Sequence, residues 1–480
     1  MTARGGRILS IDLGTSRVKV AALDHTFVMD AAEAAYPSQL DSSGRAEQRT
    51  SDWTSGLAAA SAAVAARHGV EVDGVVLTAQ MPTLVAIDQD GRVLEPAVTW
   101  QDSRADDLVT RRLDRDARAR VARVAGTPID GRYLIPMHLR RLDDAGYDPR
   151  LLLSAKDYLY YLLTGEAVTD PSTASGFGNY DLAEHSFSAE LGERWGIATD
   201  LLPRVAAATY HAPLTPSGAA LLGVAAGTPV WLGAADSVCA HYAVTRTRPD
   251  ATSVIDGSST VIITGAAQGV DPDAVLRTPL VDGAVGVELD LLATGASVGW
   301  LAAVLGVSAR ELEALALAVP DPASMTARFA PYLAGGEQGV LWRGDLTGEI
   351  SGLSLATSKG ELAFALFEGI AFETVRCLDY LGAHQASGPV IALAGGESAL
   401  LGAALLGAAS GRETLAVRGR SPSLLGAGLL AASELGWAVD EERVLGWSEP
   451  PALDERYLEV AASRARAYLA ATPRAIEVTR

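Results

Sequence analysis

Two stretches of this chain share one rhythm: a short apolar run, a turn of small residues, and a second apolar run. In the first, Ile8 to Ile11 reads as a strand, Gly14-Thr15-Ser16 as a turn, and Val18 to Leu23 as the returning strand. In the second, Ser253 to Ile255, Gly257-Ser258-Ser259 and Thr260 to Thr264 repeat the pattern. The interval between them far exceeds the roughly 20–50 residues of a solenoid repeat. It predicts two similar domains, each opening with a hairpin.

Between the hairpins, strand-like runs alternate with helical ones, which predicts an α/β architecture. Asp52 to His68 is alanine-rich and predicts a helix, with Ser51 or Asp52 capping its start and Gly69 ending it. Val72 to Thr78 reads as a strand, and Ala155 to Leu163 as a short helix closed by Gly165. Arg246 to Asp250 looks like an inter-domain connection, dividing the chain into residues 1–245 and 246–480. Further on, Ser358-Lys359-Gly360-Glu361 has the form of a capping box, so a long helix starts there, its core face marked by Leu362, Leu366, Ile370 and Leu378. Val390 to Leu393 reads as a strand. Pro422 to Leu435, ended by Gly436, reads as a buried helix in which Gly426, Ala427 and Gly428 permit close packing.

A length of 480 residues is too great for one core and suits two large domains. The formal charge of −19 is spread along the chain, without the Lys/Arg runs of a nucleic-acid or membrane-surface protein. An acidic protein that handles a nucleotide must therefore gather backbone amides, local positive charge and a metal ion at the phosphates. Cys239 and Cys377 stand far apart, without metal-like spacing to any of the seven histidines, and are expected to be cytosolic thiols. Asp12 interrupts the apolar stretch near the N-terminus, so no signal peptide is expected, and prolines and glycines break the long uncharged stretch Pro213 to Ala235.

The phosphate chemistry has one natural place. No GxxxxGK[ST] motif occurs, and no GxGxxG opens a helix after a strand. In Asp12-Leu13-Gly14-Thr15-Ser16-Arg17-Val18-Lys19, a glycine turn lets amides approach phosphate oxygens, Thr15 and Ser16 add hydroxyls, and Arg17 or Lys19 adds charge. Asp12 at the strand end can hold a hydrated Mg²⁺. Taken alone, the segment serves equally well as an ordinary hairpin.

This motif resembles the first phosphate loop of the superfamily that includes actin, heat-shock chaperones, hexokinases and the FGGY sugar kinases. The following segments resemble the FGGY kinases in order and approximate spacing: Gly44 to Gln48 with Asp52-Trp53, then Ala79-Gln80-Met81-Pro82, then Trp100 to Ala105, then Lys156-Asp157-Tyr158 with Leu163 to Glu166 and Thr169-Asp170. The resemblance runs from Ile8 to about Gly436. It implies a two-domain actin-like ATPase (ribonuclease-H-like) fold with a central cleft, the sugar site and catalytic aspartate in the first domain and the ATP site in the second. It also implies ATP and Mg²⁺ as cofactors, a cytoplasmic location, and a homodimer as one expected assembly.

Residue by residue, Gly233-Ala234-Ala235-Asp236-Ser237 matches the segment carrying the family's catalytic aspartate, so Asp236 is expected to be the general base and, with Asp12, to face the metal. A sugar hydroxyl is a poor nucleophile, and a positioned carboxylate taking its proton is what the reaction needs. Gly257-Ser258-Ser259 occupies the place of the second phosphate loop, and Gly395-Gly396 that of the turn against which adenosine lies. Gln80, Met81 and Pro82 fall on the sugar segment, with Asp102, Arg104 and Ser237 expected to buttress or contact the sugar. Trp100 is a stacking platform or a buried ring, whereas His138 and Lys156 read as structural.

The sequence departs from the pattern at four places. Pro82 stands where xylulokinases carry His, and Ser237 replaces the usual Asn, which puts D-xylulose itself in question. Gly336-Glu337-Gln338 lacks an Arg, and the chain is about two residues short after Gly396. The expected activity is γ-phosphoryl transfer to a xylulose-like ketose or polyol. Gluconate, ribulose or glycerol-type substrates, or a non-catalytic sugar sensor, are the alternatives, and an actin-like assembly ATPase is the rival from another class.

Overall fold

A computed structural model describes residues 6–27, 29–69, 71–265, 270–271, 274–334, 339–343, 345–383, 390–395, 399–417 and 421–472. They form two compact units. One comprises Met1–Ala243 with Arg277–Val285 and Ser423–Val444, the other Val244–Leu276, Gly286–Pro422 and Leu445–Arg480. The chain thus passes from the first unit to the second at Ala243/Val244, two residues before the sequence division, and returns twice.

In the first unit, strands β1 (Arg7–Leu13), β2 (Arg17–Asp24) and β3 (Met29–Ala35) form an antiparallel meander. Helix α1 (Thr50–His68) leads to β4 (Gly74–Ala79), parallel to β1. Helix α2 (Ala155–Thr164), the edge strand β5 (His211–Pro213), β6 (Pro229–Ala235) and helix α3 (Asp236–Thr247) follow. The sheet order is β5-β6-β4-β1-β2-β3. Every residue of β4, and every residue of β1 after Arg7, is buried, as expected of central strands covered on both faces. A smaller sheet joins residues 39–40, 46–48, 97–99, 83–87 and 151–153.

The second unit repeats this order in the central five of its seven strands. Strands β7 (Thr252–Asp256), β8 (Thr260–Thr264) and β9 (Val285–Leu291) are the antiparallel meander. Helices α4 (Thr294–Leu305) and α5 (Lys359–Ala383) lead to β10 (Val390–Gly395), parallel to β7. Helix α6 (Ala399–Ser410) then leads to β11 (Glu413–Val417), parallel to β10. After α7 (Pro422–Glu434), most of which belongs to the first unit, β12 (Trp447–Ser448) closes the edge.

Two local expectations change. Helix α1 starts at Thr50, so Ser51 and Asp52 lie inside it. The carboxylate of Glu95, distant in sequence, takes the Thr50 N–H at 2.9 Å, and its hydroxyl as well. The capping box before α5 is as read: Ser358 N–H donates to Glu361 at 2.7 Å and Glu361 N–H to the Ser358 hydroxyl at 3.2 Å. But α5 has more than one buried face. Ala363 through Gly369 are all buried, whereas Leu362 and Ile370 are only half-buried. Burial on this scale brings Glu368 and Glu373 inside, each against an arginine.

Candidate active site

The hairpin between β1 and β2 is as tight as its composition demands. Gly14 N–H donates to the Arg17 carbonyl at 3.0 Å, and Asp12 pairs with Lys19 across the two strands. Asp12 is almost wholly buried, 3% exposed. Its Oδ2 accepts from the Ser423 hydroxyl at 2.8 Å and lies 3.7 Å from Lys19 Nζ, while its buried Oδ1 meets no donor among the described residues. A carboxylate oxygen so placed lacks the compensation that burial ordinarily requires. Burial, and then the charge of Asp12, push the Tyr36 hydroxyl far above its usual pKa.

The turn is also held from the small sheet. Gln48 Nε2 donates to the Thr15 carbonyl at 2.6 Å and to Ser38 at 2.7 Å, and its Oε1 accepts from Trp53 at 3.0 Å and from Gln80 at 3.1 Å. The Trp100 indole donates to the Thr15 hydroxyl at 3.1 Å. Trp100 is therefore a half-buried ring with a defined polar partner. Ser16 at the tip is exposed. Gln48 and Ser423 escaped assignment because the contacts that tie them to the hairpin cross 33 and 411 residues of chain.

Asp236 lies at the carboxyl end of β6, two strands from Asp12. Across β1, β4 and β6 the register places Asp12, Thr78 and Ala234 in one row. With strands about 4.8 Å apart, the backbones bearing the two aspartates are separated by on the order of 10 Å, Asp12 on the penultimate residue of β1 and Asp236 just past the carboxyl end of β6. Gly233 makes the approach possible. It sits at φ +67° beside a register shift, where a Cβ would fall 1.7 Å from the Leu77 carbonyl oxygen.

The chain then enters α3, whose first residue is the half-buried Asp236, with Ser237 N–H donating to its Oδ1 at 2.8 Å. Just before it, the Ala234 carbonyl accepts from the Thr78 hydroxyl at 2.8 Å, and Ala235 N–H donates to the Ser172 hydroxyl at 3.0 Å. Cys239 is free and buried, its thiol pushed up to about 12 chiefly by burial, so it is not a nucleophile.

Of the sugar-segment residues, Gln80 is buried with its Oε1 unpartnered, and Met81 and Pro82 are half-buried. Asp102 is fully engaged. Its carboxylate accepts from Ala46 N–H at 2.9 Å and from Arg104 N–H at 3.0 Å, and it receives the Arg104 guanidinium, which also reaches Glu47. Burial disfavours the guanidinium charge, but Asp102 and Glu47 outweigh it and raise the Arg104 pKa. This cluster ties β-hairpin segment to segment and leaves Asp102 no free oxygen.

In the second unit, Gly257 N–H donates to the Ser259 carbonyl at 2.8 Å, closing a turn one residue tighter than the first. Helix α4 begins directly over it: Ala296 N–H donates to the Ser258 carbonyl at 3.0 Å, and a Cβ on Gly295 would lie 1.9 Å from the Gly257 oxygen. Asp256, at the strand end where the first unit has Asp12, is pushed up to about 6 by burial, against the hydrogen bond from Thr260. Gly395 ends β10, while Gly396 and the segment Gly336 to Gln338 lie outside the described residues. Among the described residues no three His, Cys, Asp or Glu side chains gather as a metal cage, and no helix is long and apolar enough to cross a membrane.

Two sheets of one strand order, each headed by a small-residue hairpin, make this an actin-like ATPase fold. The profile of the FGGY family of carbohydrate kinases, N-terminal domain, matches residues 7–242, and that of the C-terminal domain residues 251–435. The chain belongs to the FGGY family of carbohydrate kinases, and is thus an ATP-dependent phosphotransferase acting on an alcohol group of a sugar. It is 28% identical to the xylulose kinase of Bacillus subtilis over 243 residues, 48% of each chain. It is 23% identical to the gluconokinase of the same organism over 386 residues, 76% of this chain and 75% of that one. Among solved structures, the ligand-bound xylulose kinase of Lactobacillus acidophilus superposes with a TM-score of 0.83 at 22% identity, covering 97% of this chain and 99% of the other. The gluconate kinase of the same species gives 0.82 at 22%, covering 97% and 96%. At that identity the structures speak for the fold.

Proposed function

We propose that this kinase transfers the γ-phosphoryl of ATP to a hydroxyl of a ketose or polyol, a xylulose-like sugar first, with gluconate, ribulose and glycerol-type acceptors as the alternatives within the family. The observation that carries the reading is the pair of aspartates at the carboxyl ends of β6 and β1, parallel strands with β4 between them, one half-buried at a helix start, the other buried with an oxygen that meets no donor among the described residues. Asp236 is the general base that takes the proton of the attacking hydroxyl. Ser237, Gln80, Met81 and Pro82 line the sugar side, and Asp102 with Arg104 and Glu47 hold that wall in place rather than touch the sugar.

The donor set suits Mg²⁺. This ion is normally held by one or two carboxylates, waters and phosphate oxygens rather than by a protein cage, and Asp12 Oδ1 is a buried acceptor in want of a partner. Asp12, through water, and Asp236 would hold the ion, which would supply positive charge against the phosphates. Thr15, Ser16 and Lys19 offer amide, hydroxyl and ammonium donors to phosphate oxygens, and Ser258 and Ser259 offer amides and hydroxyls in the second unit, while Gly14 and Gly257 spend their own N–H on closing the two turns and let the backbone come close. Gly395 and Gly396 are assigned to the adenosine. Two buried cysteines held as thiols, outside any disulfide, suit a cytoplasmic enzyme.

ADP release measured across ketoses, polyols and aldonates identifies the acceptor. With that acceptor, Asp236→Ala should lower turnover by at least ~10²-fold. Undiminished turnover in a folded variant would remove Asp236 from the chemistry, and sugar binding without ADP release would make the protein a sensor.

A further inference from the structure

Beneath the strand that delivers Asp236 lies a cluster of buried charge that nothing in the reaction uses directly. Lys156, Asp157 and Asp170 are each at most 1% exposed. Lys156 Nζ donates to Asp157 Oδ1 at 3.0 Å and lies 3.1 Å from Asp170 Oδ1. Burial works against the ammonium charge, but the two carboxylates override it and hold Lys156 above its usual value. Isolated ions in such a place are costly, and removing one partner from a buried set is strongly destabilising. A position that keeps three of them calls for a reason.

The cluster has a direction. The other oxygen of Asp170, Oδ2, accepts from Ser172 N–H at 2.9 Å and from the Ser172 hydroxyl. A serine hydroxyl carries one proton. With that proton committed to Asp170, its lone pairs are turned outward, and one accepts the Ala235 N–H at 3.0 Å. The preceding carbonyl, Ala234, is held by the Thr78 hydroxyl at 2.8 Å. The Ala234–Ala235 peptide, one removed from Asp236, is thus gripped by side chains on both its carbonyl and its amide.

We propose that Lys156, Asp170 and Ser172 form a positioning relay that orients the Ala235 amide and so fixes the direction in which Asp236 leaves β6. None of the three touches substrate; each acts through the next. The proposal rests on Asp236 as the base. A misplacement of about 1 Å at a reacting group can cost up to ~10²-fold in rate, so a clamp one residue away has leverage on turnover.

The test is steady-state ADP release by the full chain with its identified sugar, comparing wild type, Asp236→Ala, Ser172→Ala and Ser172→Thr. Ser172→Ala removes the acceptor and leaves the buried ions. It should lower kcat by about 10- to 100-fold with KM for sugar changed less than about threefold, and Ser172→Thr, which keeps the hydroxyl, should restore kcat to within about threefold. If Ser172→Ala does not fold, Ser172→Cys, whose thiol fills similar space and accepts poorly, is read the same way. An unchanged kcat in the alanine or cysteine variant, or no restoration by threonine, overturns the relay even where Asp236→Ala abolishes turnover. Full turnover by Asp236→Ala overturns the assignment of the base, and the relay with it.

Discussion

At the scale of single residues, burial decides which ionisable groups are quiet. His138 is 4% exposed, with Nδ1 3.0 Å from the Tyr147 hydroxyl, and burial followed by the charge of Arg141 lowers its pKa to about 4. Burial alone is the main cause for His241, also lowered to about 4. The unfolded chain takes up these protons near pH 6.5 and the folded chain only near 4. Their contribution to stability is therefore complete above pH 6.5 and is lost as the pH falls toward 4, on the order of 3 kcal/mol for each. Asp256, raised to about 6, acts in the opposite sense, since its folded form binds a proton that the unfolded form releases. Urea unfolding followed between pH 7 and 4 should show a flatter decline for His138→Gln than for wild type. Equal declines would mean that His138 titrates normally. The sequence reads His138 as structural; its lowered pKa comes from burial first and then from Arg141, and was not legible.

At the scale of elements, local signals were readable and non-local ones were not. The Ser358/Glu361 capping box is complete within four residues, and α5 starts where that pattern says. A second box, Ser154 with Asp157, has the shorter acid at its last position and went unread. The cap of α1 comes from Glu95, for which no signal exists near residue 50. The burial of α5 was underestimated for the same reason. Its acidic residues suggest a wet face, but Arg464 makes a bidentate pair with Glu368, at 2.7 Å on both arms, and the Tyr457 hydroxyl donates to Glu368 at 2.9 Å. Glu368→Ala would strand a largely buried guanidinium. We expect a loss of about 3–5 kcal/mol in urea unfolding, the range for breaking a buried pair. A loss within 0.5 kcal/mol would show that solvent reaches Arg464 and that the helix is less enclosed than described.

At the scale of the molecule, each unit contains the same strand order around a hairpin, and both hairpins were visible as apolar runs broken by small residues. A ligand that binds only the folded chain raises stability by mass action, by about 2.7 kcal/mol at one hundred times its Kd. A non-hydrolysable ATP analogue with Mg²⁺ should therefore raise the thermal midpoint with the logarithm of its concentration above its Kd, and the correct sugar should add to it. No shift with any adenine nucleotide would contradict the assignment of the hairpins. What the sequence determined by itself is whatever lies within a few residues: the hairpins, the strand-to-helix step at Asp236, the glycine that step needs, and the ordered segments that mark the family. Tertiary structure alone decided the rest: Ser423 on Asp12, Gln48 and Trp100 on Thr15, Ser172 on Ala235, and Asp102 turned inward to Arg104 and Glu47. A hydrogen bond depends on where two groups meet in space, and spacing along the chain encodes that meeting only when both partners share one turn or one strand.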